Sequence, residues 1–265
     1  MPCQPVCAVL PVKEKSALND GNVVTATFIF LGELNGFLPR LQQGREISIS
    51  FAEHQTTKHL IESLGIPHVE IGSVSVDSRP VELNYRPHNG DRLEVRPAPP
   101  GCPVEPRFLI DNHLGRLAAY LRMLGFDCLY QNDYEDNQMA DILGTDLRIL
   151  LTRDRRLLMR KIVLYGYCPR SLEPKAQLLE VVRHFALEPL VHPFQRCLRC
   201  NALLETVEKS AVLDRLEPKT KLYYNEFARC PACKQVYWKG SHWERMRSSI
   251  TDILSNSRLV NENIP

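Results

Sequence analysis

Hydrophobic and polar positions alternate along the first part of the chain, as they do in half-buried strands. Residues 57–64 break this alternation with helical spacing, with Thr57 as a candidate N-cap and Gly65 as a stop. Four strands are predicted, at 23–30, 45–51, 69–76 and 92–96, and the turn Asn35-Gly36 separates the first two. The order strand, strand, helix, strand, strand predicts a small α+β domain of the β-grasp type over residues 22–98.

A different pattern begins after a proline-rich stretch. Residues 97–106 contain five prolines and Gly101, which predicts a semi-rigid linker over residues 99–106. Beyond it, short apolar strands at 107–111, 127–130 and 148–152 alternate with helical patterns at 113–124, 133–143, 157–163 and 174–185. This alternation predicts an α/β domain with a parallel sheet over residues 107–192.

Length and composition add limits. A chain of 265 residues has room for two or three small domains, and its net charge of +2 does not by itself indicate a nucleic-acid partner. No apolar run approaches the length of a membrane span, and residues 1–21 lack the pattern of a secretory signal. We therefore expect a cytoplasmic protein with no membrane partner. At its two ends we expect a flexible tail at 1–21 and a C-terminal tail at 248–265.

Four of the nine cysteines form two close pairs, Cys197 with Cys200 and Cys230 with Cys233. Two residues between cysteines allow both thiolates to face one tetrahedral ion. The pattern predicts a zinc ribbon over residues 193–247, with structural Zn²⁺ bound by all four thiolates. The alternative is four unpaired cysteines. His242 is a further candidate ligand, although four cysteines already complete the coordination of zinc.

Carboxylates follow two of the predicted strands, at Asp111 and Asp154. Because parallel strands end at a common edge, these acids should meet there and would repel each other without a cation. Oxygen ligands of this kind favour Mg²⁺ or Mn²⁺, which support hydrolysis of phosphodiesters. The alternative is that each aspartate caps a helix, and that the acids between Asp133 and Asp136 form a solvated turn.

Three segments then carry a resemblance to a known family: RFLIDNHLGRLAAYLRMLGFDCLY, ILLTRDRRLL and VYWKGSHWERM. They resemble the Mut-seven C-terminal ribonuclease family, in which a PIN-like ribonuclease domain precedes a zinc ribbon and some members carry an N-terminal ubiquitin-like domain. The resemblance implies that Asp111 and Asp154 bind a catalytic metal, with Asp133 or Asp136 as the third acid. A fourth acid is not apparent, because Arg155 and Arg156 follow Asp154.

Basic residues accompany these acids. Arginine beside carboxylates suits an RNA phosphate backbone, and the candidates for RNA binding are Arg116, Arg153, Arg155 and Arg156. A solvated helix face that balances the nearby acids is the alternative. The leading hypothesis is therefore a metal-dependent ribonuclease that acts on single-stranded or structured RNA, and the second is a non-catalytic RNA-binding adaptor.

The segment HNGDRLEVRPAPPG resembles the end of ubiquitin-like sulfur-carrier proteins. That family uses a free C-terminal Gly-Gly, whereas this chain continues past Pro99-Pro100-Gly101. We therefore interpret residues 22–98 as a binding or scaffolding module with a protein partner, which gives a third hypothesis, a protein-interaction module. We expect it to fold alone, and its deletion to leave nuclease activity largely intact.

Overall fold

The computed structural model describes residues 23–261, without the side chains of residue 249 and residues 256–261. The predicted flexible tail at 1–21 lies outside the described residues. Within residues 23–261, each helix is too short or too polar to span a bilayer.

The N-terminal domain is a five-stranded sheet with one helix. Its elements are β1 (Val23–Phe30), β2 (Ile47–Ala52), α1 (Thr57–Ser63), β3 (Ile71–Val76), β4 (Arg79–Val81) and β5 (Arg92–Pro97). The strand order is β2-β1-β5-β3-β4, and β1 and β5 are parallel whereas the other neighbours are antiparallel. Every second residue of β1 is buried from Ala26 to Phe30, as expected for a sheet with one covered face. This is the predicted α+β domain of the β-grasp type.

The first helix of this domain begins at Thr57 as predicted, but its N-cap is the residue before it. Thr56 is the N-cap, and its hydroxyl accepts a hydrogen bond from the amide of His59 at 3.4 Å. Thr57 is instead a buried residue of the first turn, and its hydroxyl donates to the carbonyl of Tyr85 at 3.0 Å. Thr56 therefore caps the helix, and Thr57 packs in the core of the domain.

The central domain is a parallel sheet that alternates with helices, as predicted, and it has four strands, one more than predicted, with helices on both faces. Its elements are β6 (Arg107–Ile110), α2 (Gly115–Met123), β7 (Asp127–Tyr130), α3 (Asp136–Thr145), β8 (Ile149–Leu151), α4 (Arg155–Leu158), β9 (Gly166–Tyr167) and α5 (Pro174–His184). The strand order is β7-β6-β8-β9, and every neighbouring pair is parallel. The helix predicted at 157–163 is wrong, because α4 ends at Leu158 and turns follow up to the buried Val163.

The two faces of this sheet have different cover. Phe108 and Ile110 point into a core shared with α2 and α5. Leu109 and Leu150 point the other way, into a core that is continuous with the β-grasp domain. The two domains are therefore joined by packing as well as by the proline-rich segment, and this argues against the expectation that the N-terminal domain is separable.

The C-terminal part consists of a small antiparallel sheet and a long helix. Its elements are β10 (Glu205–Val207), α6 (Pro218–Tyr223), β11 (Phe227–Arg229), β12 (Val236–Trp238) and α7 (Ser241–Asn261), with strand order β10-β11-β12. The prediction of a tail over 248–265 is wrong for the described residues, because α7 continues to Asn261. Ile250 and Ile253 are buried in the core that contains α5, so this helix is part of the central domain.

Candidate active site and metal centre

The point where the strand order of the parallel sheet reverses lies between β6 and β8. In open α/β sheets the crevice outside the carboxyl ends of the strands at such a point is the usual ligand site. Asp111 directly follows β6, and Asp154 caps α4 just after β8. The fold thus brings both predicted acids to the same edge, on adjacent strands.

Thr152 connects these two acids through hydrogen bonds. Its hydroxyl donates to Oδ2 of Asp111 at 2.6 Å and accepts from the backbone amide of Asp154 at 2.9 Å. Thr152 is fully buried and Asp111 is only 7% exposed. Within residues 23–261, Oδ1 of Asp111 accepts no hydrogen bond, so one oxygen of this nearly buried carboxylate is available to a ligand.

The alternative that each aspartate caps a helix holds for Asp154 but not for Asp111. Oδ1 of Asp154 accepts hydrogen bonds from the amides of Arg156 at 2.8 Å and Leu157 at 3.3 Å, so Asp154 is the N-cap of α4. Its Oδ2 has no such partner among the described residues. Asp111 precedes a short 3-10 helix but makes no side-chain cap. Capping therefore accounts for one oxygen of Asp154 and does not account for Asp111.

The acids between 133 and 136 lie in the segment that leads from β7 to α3, which is at the same edge of the sheet. Asp133 is exposed, and Asp136 forms an ion pair with Arg160 at 2.9 Å. Glu135 and Gln138 form a reciprocal capping box at the start of α3. In the described chain no group of three acids brings its ligand atoms together, so neither Asp133 nor Asp136 joins Asp111 and Asp154 in such a cluster.

The arginines near the acids differ in their surroundings. Arg116, Arg153 and Arg156 are exposed. Arg155 donates to the carbonyl of Phe37 at 2.9 Å, and its guanidinium lies 5.0 Å from the centre of the Phe37 ring. Arg155 therefore binds the β-grasp domain in this structure, whereas the other three present their charge to solvent.

Next to Arg155, a second contact joins the β-grasp domain to the carboxyl edge of the sheet. Glu70 is 1% exposed, and it accepts hydrogen bonds from the amide of Cys168 at 2.7 Å and from Arg170 at 2.9 Å. Burial raises the pKa of Glu70, and the positive charge of Arg170 opposes that change. The guanidinium of Arg170 also lies 4.8 Å from the centre of the Phe37 ring, so Arg155 and Arg170 both hold this ring.

The four cysteines come together in the ribbon. Their sulfur atoms all lie within 4.8 Å of one another, with 3.5 Å between Cys197 and Cys233 and 3.3 Å between Cys200 and Cys230. Zn–S bonds of about 2.3 Å in a tetrahedron require sulfurs about 3.8 Å apart, so the cluster has the size that zinc needs. His242 is not part of this cluster.

The two pairs of cysteines form similar turns. After each pair, a residue with positive φ reverses the chain, Asn201 at 73° and Lys234 at 64°. Around Cys197, burial raises the thiol pKa, but hydrogen bonds with the Tyr237 hydroxyl and with backbone amides lower it to about 6. A thiol that loses its proton near neutral pH is ready to bind a metal.

The first of these turns also docks onto the edge strand β7. Oδ1 of Asn201 accepts from the amide of Cys128 at 3.0 Å, and its Nδ2 donates to Asp127 at 2.8 Å. The buried guanidinium of Arg122 donates to the carbonyls of Cys128, Leu198 and Arg199. The ribbon therefore covers the otherwise open edge of the parallel sheet.

Comparison with known protein families shows which family the chain belongs to. Residues 106–250 match the family described as the Mut7-C RNAse domain. The chain belongs to the Mut7-C RNAse domain family. Residues 23–100 match the Mut7-C ubiquitin description, which agrees with the β-grasp fold of that part. No curated protein and no solved structure matches the chain.

Sequence reasoning missed several residues of this Mut7-C chain that organise the site. Thr152 lies between the acids in the segment ILLTRD, and its position at a strand end is a signal that could have been used. Glu70, Arg170 and Asn201 gave no local signal, because each acts on a residue far away in the sequence.

Proposed function

We propose that this protein is a divalent-metal-dependent ribonuclease that hydrolyses RNA phosphodiesters at Asp111 and Asp154. The observation that carries the proposal is that Thr152 connects the two acids by hydrogen bonds, at the point where the strand order of the parallel sheet reverses. Membership of the Mut7-C RNAse domain family supports the reaction class. The buried hydroxyl of Thr152 fixes one oxygen of Asp111, and this leaves the other in a defined direction for a cation.

The donor set suits Mg²⁺ or Mn²⁺. Magnesium commonly uses one or two protein carboxylates and completes its shell with water and substrate phosphates, so Asp111 and Asp154 suffice as protein ligands. Such an ion, when bound, supplies an activated water and charge stabilisation for the leaving oxygen. Asp133 or Asp136 would contribute a third acid from the β7–α3 segment, and Asp136 would first have to release Arg160.

RNA is the proposed partner because cations surround these acids. Arg153 and Arg156 flank Asp154 and are exposed, and Arg116 is exposed on α2. They would hold phosphates beside the carboxylates. Arg155 would take part only by leaving Phe37.

We propose that the four cysteines hold one structural Zn²⁺. Its role is to fix the first cysteine turn against β7, so that the ribbon stays beside the catalytic domain and contributes to RNA binding. A protein partner of the β-grasp domain would use a surface other than the one that packs against the parallel sheet.

Cleavage of a 5′-labelled single-stranded RNA tests the ribonuclease proposal. The metal is omitted and then added back as Mg²⁺ or Mn²⁺, since EDTA would also remove zinc. Asp111→Asn and Asp154→Asn should each lower the cleavage rate by about a hundredfold or more, because the metal's contribution is worth several kcal/mol. Asp141→Asn, at an exposed aspartate of α3, is the matched control and should cleave like wild type.

The adaptor hypothesis has observations of its own, namely the cap made by Asp154 and the ion pair of Asp136 with Arg160. It predicts RNA binding without cleavage in every variant. Equal cleavage by wild type and both Asn variants would mean that the activity comes from another nuclease.

A further inference from the structure

A groove runs along the zinc ribbon, on a part of the molecule that the proposed reaction does not use. It has a volume of about 1150 Å³ and is bounded by the ribbon sheet, by α6 and by the start of α7. Leu198 and Arg199, in the first cysteine turn, form part of its wall, so the groove is attached to the element that docks on β7.

Aromatic rings form much of the wall. Tyr223 projects from the end of α6 and is 71% exposed, and Trp238 at the end of β12 is also exposed. Trp243 at the start of α7 packs against Phe194, with ring centres 5.1 Å apart, and the Arg247 guanidinium lies 5.6 Å from the centre of the Trp243 ring. The exposed rings of Tyr223 and Trp238 can be covered by flat ligands such as unpaired bases.

Unpaired cations lie beside these rings. Arg199 and Lys219 line the groove and are exposed, and within the described chain neither side chain forms an ion pair or a hydrogen bond. Of the two acids in the wall, Glu226 is paired with Lys239 at 2.5 Å, whereas Glu208 is exposed and forms no ion pair in the described chain. Two unpaired cations against one unpaired acid leave an excess of positive charge in the groove, which suits a phosphate backbone.

We infer that this groove is a binding site for single-stranded RNA, in which bases stack on Tyr223 and Trp238 while phosphates contact Lys219 and Arg199. The choice of RNA over DNA rests on the proposed function. The binding of a single-stranded nucleic acid in the groove does not rest on it. A duplex keeps its bases stacked on each other and so cannot cover these rings.

The two tryptophans of the chain, Trp238 and Trp243, both line the groove, so intrinsic tryptophan fluorescence reports on it directly. The test titrates the zinc-loaded full chain with a 12-nucleotide oligouridylate, without Mg²⁺ or Mn²⁺. We expect saturable quenching. Tyr223→Ala should weaken binding by at least about fivefold, the lower end of one lost base–ring stack. Tyr223→Phe, which keeps the ring, should bind like wild type.

Leu222→Ala is the matched control, because Leu222 precedes Tyr223 on α6 and is equally exposed at 71% but lies outside the groove. It should leave affinity unchanged. Lys219→Ala should also reduce the salt dependence of binding, whereas Lys221→Ala, on the same helix but outside the groove, should not. Zinc content measured for each variant verifies that the ribbon is intact.

The inference is overturned if oligouridylate does not quench, if Tyr223→Ala and Leu222→Ala bind equally, or if an acidic peptide binds more tightly than the RNA. A chain that binds through Tyr223 but never cleaves would contradict the ribonuclease proposal and support the groove. A chain that cleaves while Tyr223→Ala keeps its affinity would contradict the groove alone.

Discussion

Among single residues, Thr152 has the most direct effect on the candidate site. Thr152→Val keeps the shape but removes the hydroxyl, so Oδ2 of Asp111 and the amide of Asp154 both lose a buried partner. We expect the free energy of unfolding to fall by roughly 1–3 kcal/mol. RNA cleavage should fall as well, because Asp111 loses its orientation.

Thr152→Ser is the control for this change, since it keeps the hydroxyl and should retain most of the cleavage. Denaturant unfolding and the RNA assay measure the two effects separately. If Thr152→Val cleaved as fast as wild type, the hydroxyl would not position Asp111.

Asp127 gives a prediction about pH. Burial raises the pKa of its carboxyl, but hydrogen bonds from Arg148 and Asn201, both at 2.8 Å, bring the pKa below its usual value of 3.8. The folded state therefore holds the charged form more tightly than the unfolded state does. The stability that Asp127 contributes is present above the unfolded pKa and is lost as the pH falls through the folded pKa.

Asp127→Asn should consequently be less stable than wild type at pH 7, by roughly 1.5–3 kcal/mol for bonds to charged groups. The difference should shrink as the pH drops below about 4. Urea unfolding of both proteins across this range measures it. A difference that stays constant with pH would show that the charge of Asp127 is not the cause.

Among the elements, the first cysteine turn connects the cysteine cluster to the central domain. Cys200→Ser should release the metal, since zinc binding and folding of such sites are coupled. Because Asn201 satisfies the amide of Cys128 on β7, we expect the loss of zinc to increase hydrogen exchange in β7 as well as in the ribbon.

Cys102→Ser is the control, because Cys102 lies outside the cluster and bonds only to the nearby carbonyl of Val104 in the described chain. Elemental analysis gives the zinc content, and hydrogen exchange gives the response of β7. A metal-free Cys200→Ser protein with unchanged protection in β7 would mean that the ribbon and the sheet edge are independent.

Sequence patterns predicted the elements whose signal is local. The buried runs of β6 and β8 and the spacing of Cys197, Cys200, Cys230 and Cys233 each depend on a few neighbouring residues. The helix at 157–163 was predicted wrongly because apolar residues there fit a helical period, whereas Val163 is buried in a turn. Helix α7 was not predicted, because its burial depends on the surface of α5.

At the scale of the whole molecule, the contact between the domains could not be predicted. The apolar run Phe108-Leu109-Ile110 indicates a strand covered on both faces but does not say what covers it. The β-grasp domain provides part of that cover. The polar contacts that fix its position, such as Glu70 with Arg170, join residues that are distant in sequence.

Glu70→Ala tests this contact. It leaves the amide of Cys168 and the guanidinium of Arg170 without their buried acceptor, so we expect a loss of roughly 1–3 kcal/mol in the free energy of unfolding. Hydrogen exchange should rise in both domains together. Glu46→Ala removes an exposed ion pair with Arg92 and should have little effect. Destabilisation of the β-grasp domain alone would contradict a shared core.

We propose that Asp111 and Asp154 hold a divalent cation for RNA cleavage. Diffraction from crystals of the full chain soaked in Mn²⁺, recorded for the anomalous signal of manganese, locates such a cation. We expect a manganese peak at the carboxyl edge of the parallel sheet, in contact with carboxylate oxygens of both Asp111 and Asp154, and no such peak in Asp111→Asn. If manganese binds elsewhere, or if this edge has no manganese in crystals that hold zinc at the four cysteines, the two aspartates do not form the proposed site.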